Sequence, residues 1–201
     1  MQSKPLIVGI TGGIGSGKST ICKIFETLCH KIYYADDRAK WLMNNSNELK
    51  SQIMDLFGES AYSDNLLNRE FIGEQVFKNS ALLEKLNAKV HPAVREDSKN
   101  WVENNADEEL LFYEAALIFE VGSYKRMDAT ILVTASEELR LKRVLARDTY
   151  RSEGSIKQIM SKQMSDAEKI PLADYLIIND EKNAVIKQTM DIYDQLLNRH
   201  K

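Results

Sequence analysis

Lys18, Ser19 and Thr20 close a stretch in which Gly9, Gly12, Gly13, Gly15 and Gly17 fall within nine positions. Residues 12–19 read GGIGSGKS and fit G-x-x-x-x-G-K-[ST]. Glycines let a backbone curl until successive N–H groups point inward. Those donors, with the positive end of a following helix, cradle phosphate oxygens. In such a loop the lysine reaches the β- and γ-phosphates and the serine hydroxyl serves Mg²⁺. The pattern therefore gives nucleotide-triphosphate binding to the loop and helix start, Gly13, Ile14, Gly15, Ser16, Gly17, Lys18, Ser19 and Thr20, with Ser19 the contact to a nucleotide-bound Mg²⁺. A chance glycine turn capping a helix is the competing reading. The full pattern, with a β-branched apolar run before it and an amphipathic stretch after it, argues against chance.

The loop alone does not name a reaction. A GTPase would need N-K-x-D after a middle strand, and the sequence has none. "DLFG" at Asp55 fits D-x-x-G but falls in a helical stretch. Phosphoryl transfer is mostly positioning and charge stabilisation, with a group to take the acceptor-hydroxyl proton and cations around the transferring phosphoryl. Asp36, at the end of the second expected strand, suits the first task, since strand ends in open α/β sheets face the ligand crevice. Its alternative role, shared with Asp37, is to cap the next helix. "RLKRVLARD" supplies the cations: Arg140, Arg143 and Arg147 recur at spacings of three and four, which stacks them on one helix face. A solvated basic face is the alternative.

These residues need a scaffold. The 201 residues are 43% hydrophobic and 28% charged, enough for a full core in one domain with an attached lobe. Short apolar runs alternate with helical stretches, an α/β pattern. Strands are expected at 5–10, 31–34, 110–113 with a continuation at 117–119, 129–134 and 175–178. Helices are expected at 18–29, from a Ser136 cap to 148, and at 181–198. Residues 38–104 are mainly helical and too long for a simple crossover, so a helical insertion or lid is expected there. Net charge is −3, which gives no bulk electrostatic support to nucleic-acid or membrane-surface binding. No apolar run approaches the ~18 residues of a spanning helix, and the first residues lack the long apolar segment of a signal peptide, so a cytoplasmic protein is expected. Cys22 and Cys29 lie about 10 Å apart along one expected helix, too far for a disulfide, and are read as packing thiols rather than metal ligands.

Taken in order, several stretches resemble the dephospho-coenzyme A kinase family. They are "GITGGIGSGKST", "YADDRAK", "LNAKVHPAVRED", "EAALIFE", "LKRVLARD" and "ADYLIIND", and together they cover nearly the whole chain. The resemblance implies a three-layer P-loop nucleotide-kinase fold: a parallel central sheet, a helical CoA-binding lobe at about 60–105 and a helical lid at about 140–168, all one domain over 1–201. It implies transfer of the ATP γ-phosphate to the ribose 3′-hydroxyl of 3′-dephospho-CoA, with Mg²⁺ and without a nucleic-acid or membrane partner, by a monomer or weak homo-oligomer. Asp36 would be the base, Lys18, Arg143 and Arg147 the catalytic cations, and Asn179 a nucleotide contact. Thr11, Asp36, His91, Arg95 and Glu120 would lie on the acceptor side. His91 beside Pro92 also suits a helix-end packing residue. The chain departs from the family pattern at Tyr34, where an Asp is usual, at Glu114 for Asp, and at Ala116 for Pro. Another P-loop nucleoside or metabolite kinase, or a non-catalytic ATP-binding regulatory module, would use the same loop.

Overall fold

The computed structural model describes residues 4–200. Its elements run β1 (Leu6–Thr11), α1 (Lys18–Thr27), β2 (Lys31–Tyr34), α2 (Ala35–Asn45), α3 (Asn47–Phe57), β3 (Tyr62–Ser63), β4 (Leu66–Leu67), α4 (Arg69–Lys78), α5 (Ser80–Glu103), β5 (Leu110–Glu114), β6 (Ala129–Thr134), α6 (Glu137–Arg147), α7 (Glu153–Ser161), α8 (Asp166–Lys169), β7 (Tyr175–Ile178) and α9 (Val185–His200). They divide into two compact units, residues up to 34 with those from 105 onward, and residues 35–104.

The first unit holds a five-stranded sheet in the order β2-β5-β1-β6-β7, every pairing parallel. This is the sheet of the three-layer α/β class expected from the sequence. Alternate residues of the strands pack under α1 and α9: Val8, Ile10, Leu110, Phe112, Ile131, Val133 and Ile177 meet Ile21, Cys22, Phe25, Ile192 and Leu196. That is the period-two burial a strand requires, met by residues three and four apart on each helix. Phe25 stacks on Phe112 with ring centroids 4.0 Å apart; its loss to alanine would cost about 3–5 kcal/mol. On the opposite face, a side chain at Gly9 would collide with Met127 Sδ and come 3.2 Å from Ile118.

Three expectations shift. Residues 117–119 are not strand: Val121 N–H donates to the Leu117 carbonyl and Ser123 N–H to that of Ile118, folding the run into turns that bury Ile118 and Phe119. A short apolar run has no periodicity to distinguish these outcomes. The first helix stops at Thr27, and Cys29 takes a φ of 65° just past its end. The last helix starts at Val185, because Asp180 closes a turn by accepting from the Lys182 and Asn183 N–H groups.

The second unit is helical, as expected for the insertion. Ser46, Asn68 and Asn79 cap α3, α4 and α5 by accepting backbone N–H groups of their first turns. Leu86, Val90, Val94 and Ser98 form the buried stripe of α5. Arg38 Nε donates to Asp97 at 2.9 Å, fixing α2 to α5. A short hairpin, β3–β4, interrupts the helices at Asp64-Asn65, both with positive φ, as its tight turn demands. The Asp55–Gly58 match lies in and just past α3.

Candidate active site

β1 delivers the chain to the sheet's carboxyl edge, and residues 12–17 curl back there to start α1. Gly17 is the N-cap at φ 98°, ψ 23°, and a side chain on it would run into Asn179 Nδ2. Gly15 has φ 79°, and a Cβ there would sit 2.5 Å from the Arg140 carbonyl. Both positions thus need glycine for conformation and for space. Lys18 folds back over the loop: its Nζ donates to the Gly12 carbonyl at 3.1 Å and stands 3.7 Å from Glu114 Oε1. Ser19 and Thr20 follow on the exposed first turn of α1, while Ser16 is buried inside the loop.

The loop is gripped from outside. Gln163 Oε1 accepts the Ile14 N–H at 2.9 Å, and Arg140 Nε donates to the Ile14 carbonyl at 3.0 Å. Asn179, just beyond β7, donates its side-chain amide to the Ser16 carbonyl at 2.8 Å. Arg143 in turn donates to the Asn179 carbonyl at 3.1 Å and pairs with Glu181 at 3.3 Å.

The basic stripe of α6 therefore splits into three tasks. Arg140 is 8% exposed and braces the loop. Arg143 is half-buried beside Asn179. Arg147 is exposed and clamps Asp148 by two bonds of 2.7 and 2.9 Å. This pairing, with Arg151 adding to it, holds the Asp148 carboxyl below the usual range.

Thr11 ends β1, with its hydroxyl donating to the Ala116 carbonyl at 3.3 Å. Tyr34, in the place of the family's Asp, donates its hydroxyl to Glu26 on α1 at 2.8 Å; burial first, then this bond, raises its pKa. Glu120, given to the acceptor side by the resemblance, is engaged within the first unit: it pairs with the fully buried Lys169 at 2.9 Å and accepts the Met164 N–H at 3.1 Å.

In the second unit, Asp36 and Asp37 are exposed in the first turn of α2 rather than preceding it as caps. His91 and Arg95 are exposed one turn apart on α5. The helix continues through Pro92, so His91 is mid-helix and the helix-end reading does not hold. Its surroundings first, and the Arg95 charge second, lower the His91 pKa.

Arg140 belongs to the basic stripe of α6, and nothing at helical spacing separates it from Arg147, yet it is buried with Val144 one turn on. Nothing local marks Gln163 or Lys169.

A strand-loop-helix of this form grips a polyphosphate, and a cationic helix seated on it places the chain among the P-loop kinases. The relatives narrow that class. The family model described as dephospho-CoA kinase matches residues 6–184. A dephospho-CoA kinase of Salinibacter ruber is 40% identical over 190 residues, covering 92% of this chain and 95% of the relative. Among solved structures, TT1252 from Thermus thermophilus has a TM-score of 0.84 at 29% identity, covering 98% of each chain. A dephospho-CoA kinase from Campylobacter jejuni has a TM-score of 0.70 at 26% identity, covering 97% and 98%. The chain belongs to the dephospho-CoA kinase family and is an ATP-dependent kinase.

Proposed function

We propose that the chain moves the γ-phosphoryl of ATP to the ribose 3′-hydroxyl of 3′-dephospho-CoA, using Lys18, Asp36, Arg143 and Arg147. The observation that carries this is the family match over residues 6–184 joined to an intact phosphate loop with Lys18 folded over it. The 3′-oxygen forms a bond to the γ-phosphorus as the bond to the bridging β,γ-oxygen breaks. ADP leaves with that electron pair. Asp36 orients the hydroxyl and takes its proton, a role supported by its place two residues beyond β2. Lys18 and the loop N–H groups hold the phosphates. Arg143 and Arg147 neutralise charge on the transferring group. Thr11, His91 and Arg95 serve the acceptor.

Hard oxygen donors suit Mg²⁺, and the Ser19 hydroxyl and Glu114 carboxylate are of that kind. Mg²⁺ held there with the nucleotide would neutralise β- and γ-phosphate charge. No described helix is long and apolar enough to cross a membrane, and Cys22 and Cys29 are free thiols, which fits a reducing cytoplasm.

A coupled ADP-release assay with dephospho-CoA and adenosine as alternative acceptors tests the reading. ADP release is expected with dephospho-CoA. Background turnover with it, alongside fast turnover of another hydroxyl, would point to a different metabolite kinase; no acceptor-stimulated turnover would point to a binding module.

A further inference from the structure

Ser16 N–H donates to the Gly13 carbonyl at 3.1 Å, so residues 13–16 form a β-turn. Its third residue, Gly15, has φ 79°, and its second, Ile14, is not among the residues of positive φ. That combination is a type II turn. Types I and II differ mainly in the direction of the central peptide, here Ile14–Gly15. In a trans peptide the C=O of one residue and the N–H of the next point opposite ways. With the Ile14 C=O drawn outward to Arg140, the Gly15 N–H points the other way. The Ile14 N–H drawn to Gln163 likewise turns the Gly13 C=O inward, where it meets Ser16. Asn179 applies the same constraint at Ser16, turning the Gly17 N–H away from itself.

The residues holding Ile14 are themselves held. Arg140 Nη1 lies 3.6 Å from Asp166 at the start of α8. Three residues on, Lys169 is fully buried against Glu120. Glu120 also takes the N–H of Met164, the neighbour of Gln163. The segment 163–169 is thereby fastened to the turn after β5, and Gln163 reaches the loop from a fixed base.

We propose that Gln163 and Arg140 are positioning residues of the phosphate loop, gripping both sides of Ile14 so that the Gly15 N–H faces the nucleotide phosphates. This rests on the reading of the loop as the ATP site. It assigns no contact with substrate to either side chain. The segment that follows α7 thus sets the donor geometry of a loop almost 150 residues earlier in the chain.

The test compares the wild-type chain with Gln163→Met, which removes the acceptor at similar size, and Gln163→Glu, which keeps an oxygen acceptor. ADP and adenosine binding are measured by calorimetry, and the two KM values and kcat by ADP release. Gln163→Met is expected to weaken ADP binding about tenfold, in the range of one hydrogen bond to a charged group. Adenosine binding and the acceptor KM should stay put, and Gln163→Glu should recover most of the lost ADP affinity. Unchanged ADP affinity in Gln163→Met would overturn the proposal. So would equal losses in both variants accompanied by a lowered melting temperature, since that marks a merely structural residue. If the wild type binds ADP but does not phosphorylate dephospho-CoA, while Gln163→Met alone loses ADP affinity, the assigned reaction fails and the positioning role stands.

Discussion

Lys18 Nζ lies 3.7 Å from Glu114 Oε1, with both side chains only 13% exposed. The loop's cation thus has a carboxylate partner at the end of β5, as well as the Gly12 carbonyl. An incoming triphosphate competes with that carboxylate for Lys18. Glu114→Gln removes the competitor and also an oxygen suited to Mg²⁺. The expected result is a split: ATP binds a few-fold more tightly while kcat falls. Separate measurement of ATP dissociation constant and kcat reads this. A weaker ATP affinity would show that Glu114 helps binding rather than opposing it.

Asp36 sits in the first turn of α2, where a negative charge is worth only about 0.3–1 kcal/mol to the helix. Asp36→Asn should therefore melt close to the wild type. A positioned base contributes about 10²–10⁴-fold, so turnover should drop by that amount with ATP affinity kept within a few-fold. Near-normal turnover would remove Asp36 from the base role.

The features legible in the sequence are the local ones. The phosphate loop is contiguous, β6 is a buried run dominated by β-branched residues, and Ser136 caps α6 as its position before Glu137 and Glu138 announces. Features that need a distant partner were not legible. Lys169 resembles any surface lysine until Glu120, 49 residues earlier, is folded against it. The difference between Arg140 and Arg147 is invisible at helical spacing, since it depends on Gly15 meeting the backbone of Arg140. The β3–β4 hairpin had a local signal in Asp64-Asn65, overridden by the helical character of its surroundings. Tyr34 could be recognised as a departure, but its bond to Glu26 required knowing that β2 ends beside α1.

Arg147 is exposed, and its partner Asp148 is its neighbour in sequence. The Asp148 side chain is only 13% exposed, but it keeps Arg151 at 3.2 Å when Arg147 is lost, so no covered charge is left alone and the exposed arginine adds little. Arg147→Ala should thus leave the melting temperature nearly unchanged. If the guanidinium leaves Asp148 for the phosphoryl group during turnover, its loss removes a transition-state cation, worth about 10²-fold or more in kcat. A collapse in melting temperature with unaltered kcat would make the arginine structural.

Lys169 is fully inaccessible and pairs with Glu120, whose side chain is 16% exposed. Removing one member leaves the other's charge without compensation, a loss of about 3–5 kcal/mol. Lys169→Met should destabilise by that amount in urea denaturation. The double variant Lys169→Met with Glu120→Gln should recover a good part of it, because no lone charge then remains buried. Additive losses in the double variant would mean that the two side chains act independently.

His30 contributes a pH dependence whose sign follows from its surroundings. Its ring meets Phe112 edge-on and shares a 3.0 Å hydrogen bond with the Tyr193 hydroxyl. Burial lowers its pKa from the ordinary 6.5, outweighing Glu108 and Glu109, which act in the opposite direction. The unfolded chain therefore takes up this proton at a higher pH than the folded one. The stability gained from neutral His30 is fully present above about pH 6.5. It is lost as pH falls from there towards the lowered folded value. His30→Gln lacks the ring contacts and should melt below the wild type at pH 7.5. The gap between them should narrow as the pH is taken down to 5.5, because only the wild type loses this contribution. Thermal melts of the two proteins across that range decide the matter: a gap that widens on acidification would mean that the fold favours the protonated ring.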